Sequence, residues 1–311
     1  MSVDRRNAAL TSVVALIVTS LMILVTAEAA VQGVLTKRRS NEFDASASRS
    51  GGNRYLAWTQ APAARVSRTK VMARRNGNTF RVSRKKPRAY AGGITGSRLI
   101  YQEIKPRQNS SNILGFNLRT KRRFGFGTVN TRWWEYSPTK SGRWVLFSRD
   151  KNKTRKVILL NLQTHNARQL AEVKRKGPRQ AAAGQVNDKW AVYHKCTPNG
   201  CDVFRYNITS KNKIRLPSPR FAQYYPSVAR DGDVYYASSG PTCGAQVKLL
   251  RWHQGNTKQI AFLGRKDTFK TYVAPAPGAQ VDVYFSKFRC NKDGSDLARR
   301  PRANAYKVRV N

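Results

Sequence analysis

Residues 135–173 read EYSPTKSGRWVLFSRDKNKTRKVILLNLQTHNARQLAEV. Four short runs follow one another: EYSPTKS, RWVLFSRD, RKVILLNLQT and ARQLAEV, separated by Gly142, a polar loop and a turn at His165-Asn166. The second and third runs are dense in Val, Ile, Leu, Phe and Trp, side chains that suit a pleated, half-buried surface. None carries apolar residues at the 3.6-residue period of a helix. The stretch therefore predicts an antiparallel meander of four strands.

The pattern recurs from Asn53 onward, every 40 to 48 residues. Tyr55–Thr59, Arg98–Gln102, Lys189–Tyr193, Asp233–Ala237 and Val281–Phe285 occupy the slot of RWVLFSRD. NILGFNLRT, DVFRYNITS, QVKLLRWHQ and AYKVRV occupy the slot of KVILLNLQT. A unit this small cannot bury both its faces, so successive units must stack on one another. No composition break divides the chain as two sandwiches would. The expected fold class is all-β, a six-bladed β-propeller of four-stranded blades, with units near 41–85, 86–130, 131–176, 177–219, 220–265 and 266–311. The last unit stops after its third strand, and an open edge of unpaired N–H and C=O groups invites aggregation. A segment within Val31–Lys37 is expected to supply the missing outer strand.

Tyr136-Ser137-Pro138, the run from Gly142 to Asp150, Val157 to Leu162 and Arg168-Gln169-Leu170 together resemble the repeat of TolB-type, WD40-like propellers. The likeness is fullest in the third unit, partial in the second, fourth and fifth, and weak in the first and sixth. It implies the propeller fold. Thr139-Lys140-Ser141-Gly142 stands where an Asp-Gly is usual in that family, and no α/β domain is expected ahead of the propeller. The resemblance therefore carries the fold and not the family's envelope role.

Ahead of the repeats, Arg5 and Arg6 precede an uncharged run from Asn7 to Ala27, and Ala27-Glu28-Ala29 follows as a small-x-small pattern. Residues 1–29 thus read as an N-terminal signal peptide or a membrane-anchor helix. Residues 30–50 read as a polar linker, part of it completing the last blade, and 51–311 as the propeller. Cys196 and Cys201 enclose the turn Thr-Pro-Asn-Gly, which predicts a hairpin-closing disulfide and leaves Cys243 to pair with Cys290. Export and disulfides agree on an extracytoplasmic location, secreted or tethered to the outer side of the cytoplasmic membrane.

The 59 Lys and Arg outnumber 16 Asp and Glu, a formal net charge of +43. A disordered polycation is excluded by 40% apolar and 10% aromatic residues. In a propeller, blade-to-blade connections and loops between second and third strands share one face. The residues expected to bind a polyanion there are Arg84, Lys85, Lys86, Arg88, Lys174, Arg175, Lys176, Arg179, Arg299, Arg300 and Arg302. Expected partners are an acidic envelope polymer, an anionic membrane surface or an acidic protein. Nucleic acid is disfavoured as the physiological ligand by the leader, and a monomer is expected. Such binding weakens steeply with salt, because each contact releases counterions. The opposite face is basic too, at Arg74, Arg75, Arg119, Lys121, Arg122, Arg123, Lys211, Lys213 and Arg215.

Recognisable catalytic chemistry is missing. No phosphate loop, nucleophile elbow or metal-ligand spacing occurs, so no catalytic residue, metal or cofactor is expected. The reading is a non-enzymatic binding scaffold. Its alternative is a propeller hydrolase or lyase acting on an anionic polysaccharide, for which Glu135 and Asp267 are the plausible inner-strand acids. The pairs Trp133-Trp134, Tyr224-Tyr225 and Tyr235-Tyr236 are expected to pack in the core, as are Trp58, Trp144 and Trp190.

Overall fold

The computed structural model describes residues 31–35, 40–62, 68–105, 110–177, 179–217, 221–240, 243, 245–264, 266–290 and 303–311. The expected leader, residues 1–29, lies outside them, as do Arg299, Arg300 and Arg302. No helix among the described residues is long and apolar enough to cross a membrane. The described elements are all strands.

β1 is the short strand Gln32–Gly33. The first meander comprises β2 (Ser40–Ser50), β3 (Asn53–Pro62), β4 (Lys70–Arg75) and β5 (Asn78–Arg81). The second is β6 (Ala89–Thr95), β7 (Arg98–Lys105), β8 (Ser110–Asn117) and β9 (Arg122–Gly125). The third, the stretch quoted above, is β10 (Trp134–Ser141), β11 (Trp144–Lys151), β12 (Thr154–Asn161) and β13 (Ala167–Lys174). Then come β14 (Gln180–Val186), β15 (Trp190–Thr197), β16 (Gly200–Asn207) and β17 (Lys213–Arg215). The fifth is β18 (Ala222–Val228), β19 (Val234–Ser239), β20 (Val247–His253) and β21 (Asn256–Gly264). The last is β22 (Lys266–Pro275), β23 (Val281–Arg289) and β24 (Asn304–Val310), with β1 as its outer strand. The second and third meanders are joined by a single parallel pair, Trp134 with Ser111.

The first strand of each meander packs against the first strand of the next, and β22 packs back against β2. Hydrophobic clusters fill the junctions between neighbouring sheets. Tyr55, Val71, Leu99 and Tyr101 pack between the first and second, and Trp58, Tyr272 and Tyr284 between the last and the first. Burial between sheets is how units with too little material for a private core become stable.

β1 pairs with β24 through Gln32↔Lys307 and Gly33↔Tyr306, and the Val34 N–H donates to the Ala305 carbonyl at 3.1 Å. The open edge is thus covered within the 31–37 stretch. Residues 40–50 correct the sequence reading. They are not linker but β2, paired with β3 from Ser40↔Pro62 to Ser50↔Asn53. Asn41, Glu42 and Ser46 are buried there.

Both disulfides join the expected partners. Cys196–Cys201 closes the β15–β16 hairpin, and Cys243–Cys290 ties the β19–β20 connection to the end of β23.

Candidate ligand cavity and basic rim

All six first strands carry a β-bulge at the same place. Register shifts fall at Phe43/Ser46, Ala91/Ile94, Tyr136/Thr139, Ala183/Val186, Tyr224/Ser227 and Phe269/Tyr272. The first unpaired residue of each is Asp44, Gly92, Ser137, Gly184, Tyr225 or Lys270. Asp44, Ser137, Tyr225 and Lys270 adopt left-handed φ values of 53°, 50°, 52° and 34°. A bulge releases one residue from the ladder and re-aims its side chain. Five of the six positions, all but Gly92, line one cavity of about 480 Å³.

Four aromatic residues, Phe43, Tyr90, Trp134 and Tyr136, share the remaining wall with small and aliphatic residues such as Ala182, Ile104 and Pro226. Deep in the cavity, Asp44 Oδ2 accepts the Thr59 hydroxyl at 2.9 Å, and Lys270 Nζ donates to the Ala91 carbonyl at 3.1 Å. Burial pushes the Asp44 carboxyl above its ordinary value, with Lys270 and Thr59 pulling it back. Burial likewise pushes the Lys270 ammonium down, and Asp44 opposes that shift. Neither charge has an ion-pair partner within 4 Å among the described residues.

Beneath Tyr225 lies His194, fully buried, its Nδ1 accepting the Tyr225 N–H at 3.3 Å. Nε2 has no partner. Burial, reinforced by Arg155, lowers the imidazole pKa from 6.5 to about 3. A depressed histidine pKa means that the unfolded chain binds the proton more readily. Stability should therefore fall as pH drops from about 6.5 toward about 3. His194→Asn keeps an acceptor for Tyr225 and removes the titration. Denaturant melts between these limits should show a shallower pH slope for the variant; equal slopes would exclude His194 as the source.

Neither acid singled out from the sequence is available in the cavity. Glu135 is fully buried, with Oε1 accepting Arg149 Nε at 2.9 Å and the Thr131 hydroxyl. Asp267 lies beside the Cys243–Cys290 disulfide, and Oδ1 accepts the Thr268 N–H at 2.7 Å. The carboxylate among the cavity's described lining residues is Asp44, which lies in the segment read as linker and was missed. Among the aromatics, Tyr235, Tyr236 and Trp58 are core as expected. Trp134 and Tyr225 instead face the cavity, and Trp133 is half-buried with Arg132 over its ring at 5.0 Å. Trp144 and Trp190 begin their strands, only partly buried, under the guanidinium groups of Arg143 and Arg205.

The eight described cationic residues of the expected rim are all exposed. Arg84, Lys85, Lys86 and Arg88 occupy the β5–β6 connection; the first three line a groove with Lys105 and the carboxylate of Glu103, and Arg88 reaches the central cavity. Lys174 ends β13, and Arg175, Lys176 and Arg179 follow in the β13–β14 connection, which leads into Gln180 at the same cavity. Of the eight, Arg175 alone has an ion-pair partner among the described residues, Asp150 at 3.4 Å. The structure places both clusters on connections that enter the cavity-lining strands.

No protein-family model and no curated protein sequence matches the chain. Solved structures match in fold. TolB from Acinetobacter baumannii aligns with a TM-score of 0.57 at 13% identity over 82% of this chain, which spans 63% of that protein's length. A putative TolB from Agrobacterium tumefaciens aligns at 0.55 and 10% identity, over 90% of this chain and 97% of that one. The endosialidase of phage phi92 aligns at 0.57 and 7% identity, over 91% and 69%. At these identities the likeness concerns architecture alone. In fold, the chain is an all-β protein similar to TolB-like propellers.

Proposed function

We propose that this protein is a six-bladed propeller working outside the cytoplasm as a non-enzymatic scaffold, and that its connection face binds an anionic polymer of the envelope. The six meanders, packed first strand to first strand, are its blades. The observation that carries the reading is the uncompensated rim: eight exposed cations and one ion pair among them. The molecule's buried acids, by contrast, are largely held by internal partners. Glu135 is held by Arg149, Asp150 by Arg155, and Asp282 by Lys307 and Arg309. The positive charge of the rim is thus left for a partner. Two disulfides support an oxidising compartment. Among the described residues the cavity is lined by a single carboxylate, Asp44, which supports binding over the paired-carboxylate chemistry of the hydrolase alternative.

The test uses long-chain polyphosphate as the probe. Affinity should fall steeply between about 50 and 300 mM salt. Replacing Arg84, Lys85, Lys86 and Arg88 together by Gln should weaken binding at least ten-fold, roughly, at low salt. The same change at Arg119, Lys121, Arg122 and Lys211 on the opposite face should cost much less. Salt-independent binding, or equal losses from the two variants, would remove the rim from the account.

A further inference from the structure

The central cavity presents a chemistry that a rim for polyanions does not require. Gln102 is 5% exposed and lines the cavity, yet its amide has no hydrogen-bond partner among the described residues. Gln180 and Ser137 line it too, their side-chain polar groups without a hydrogen-bond partner among the described residues. A side-chain amide with no protein partner that borders a cavity keeps both its donor and its acceptor free for a ligand. Lys270 uses one of its three donors, and Asp44 one of its two oxygens. Tyr90, Trp134 and Tyr136 line the same cavity, Tyr136 with the Arg155 guanidinium over its ring at 5.7 Å.

The volume, about 480 Å³, falls within the roughly 300–1,000 Å³ usual for small-molecule pockets. Aromatic faces offer apolar area at low entropic cost, and side-chain amides with a carboxylate suit hydroxyl groups. A polyphosphate has no ring surface with which to use the aromatic wall. A sugar ring has both an apolar face and a girdle of hydroxyls. The cation at depth, Lys270, and Arg88 at the mouth select for a negative substituent on that ring.

We infer that the cavity seats one carboxylate-bearing pyranose unit of an anionic polysaccharide, stacked on Trp134 and Tyr136, with its carboxylate on Lys270 and its hydroxyls on Asp44, Gln102 and Gln180. The inference rests on the polyanion reading above, since the rim would hold the chain whose unit enters the cavity.

The full chain is titrated with a uronic-acid tetrasaccharide, the matching neutral tetrasaccharide and polyphosphate, by calorimetry and by the intrinsic fluorescence to which Trp134 contributes. The uronate oligomer should bind about ten-fold or more tightly than the neutral one and perturb the fluorescence. Lys270→Met should erase that preference, weakening uronate binding roughly 10- to 100-fold, while polyphosphate affinity stays unchanged. Should Lys270→Met fail to fold, Gln102→Ala and Gln180→Ala carry the test, each expected to weaken uronate binding several-fold. If uronate binding ignores these variants and follows only the Arg84–Arg88 replacements, the cavity proposal is overturned and the rim stands. If polyphosphate binding proves indifferent to salt and rim changes, the rim reading falls instead. A peptide or a nucleic-acid oligomer that occupies the cavity in preference to the uronate would also overturn it.

Discussion

Gly184→Ala is expected to destabilise the protein by about 3 kcal/mol or more, placing it among the most damaging single-methyl additions available in the chain. A Cβ built at Gly184 would lie 2.1 Å from the Pro226 carbonyl oxygen and 2.8 Å from that of Val192. Both are backbone atoms, one on the next first strand and one on the paired strand, so neither can swing aside. Gly184 also accepts the Thr139 hydroxyl at 3.0 Å from the preceding first strand, so any shift spreads to a third meander. With roughly 2–4 °C lost per kcal/mol in a domain of this size, the melting temperature should drop by on the order of 10 °C. Gly125→Ala is the control: nothing lies within 4 Å of its Cβ, and it should change stability by less than about 0.5 kcal/mol. Equal melting temperatures for the two variants would mean that the first strands are not held as closely as described.

Arg149→Met should cost about 3–5 kcal/mol, the usual penalty for leaving a buried charge without its partner. The guanidinium meets Glu135 at 2.9 Å and donates to the Val129 carbonyl at 2.8 Å, and Glu135 has no exposed surface. Burial already pushes the Glu135 carboxyl up, against the pull of Thr131 and Arg149. Removing Arg149 strengthens that shift. A raised folded-state pKa means that ionisation opposes folding, so protonation relieves the variant. The stability gap between wild type and Arg149→Met should accordingly narrow as pH falls from about 7 to 5. The double variant Glu135→Leu with Arg149→Met should recover much of the loss, because two apolar side chains leave nothing unpaired. A gap that stays constant with pH would show that lost packing, rather than the stranded carboxylate, is responsible.

The contrast between the two sites explains what could be read in the letters alone. Second and third strands such as Trp144–Lys151 and Thr154–Asn161 are bracketed by neighbours and carry bulky apolar residues, so their pattern is plain. The Cys196–Cys201 hairpin was equally plain from its turn. First strands obey a different constraint. Crowding at the centre calls for Ala, Gly and Ser, as in AYAGGIT and QAAAGQV, and β2 with its Ser, Asn and Asp passed for linker. Asp44 was lost with it. Nothing local in the sequence shows that a bulge brings Lys270 to the cavity. The exposure of the charge runs at Arg84–Arg88 and Lys174–Arg179 was legible, because charge runs between strands need no tertiary knowledge. The cavity was not, since Asp44 and Lys270 meet only when the last first strand packs against the first.

The repeated bulges also bear on how such a lumen can change its contents. Each first strand sets one residue outside its hydrogen-bond ladder, so the letter written there can be exchanged without unpicking the sheet. Two of these sockets are closed to any side chain, Gly92 and Gly184, by carbonyl groups 2.3 and 2.1 Å from a would-be Cβ. The other four, now Asp, Ser, Tyr and Lys, form a short alphabet in which Gly, Asn and Asp are the least strained entries for a left-handed backbone. A new cargo would need little more than respelling those four positions, with the rest of the torus left as it is.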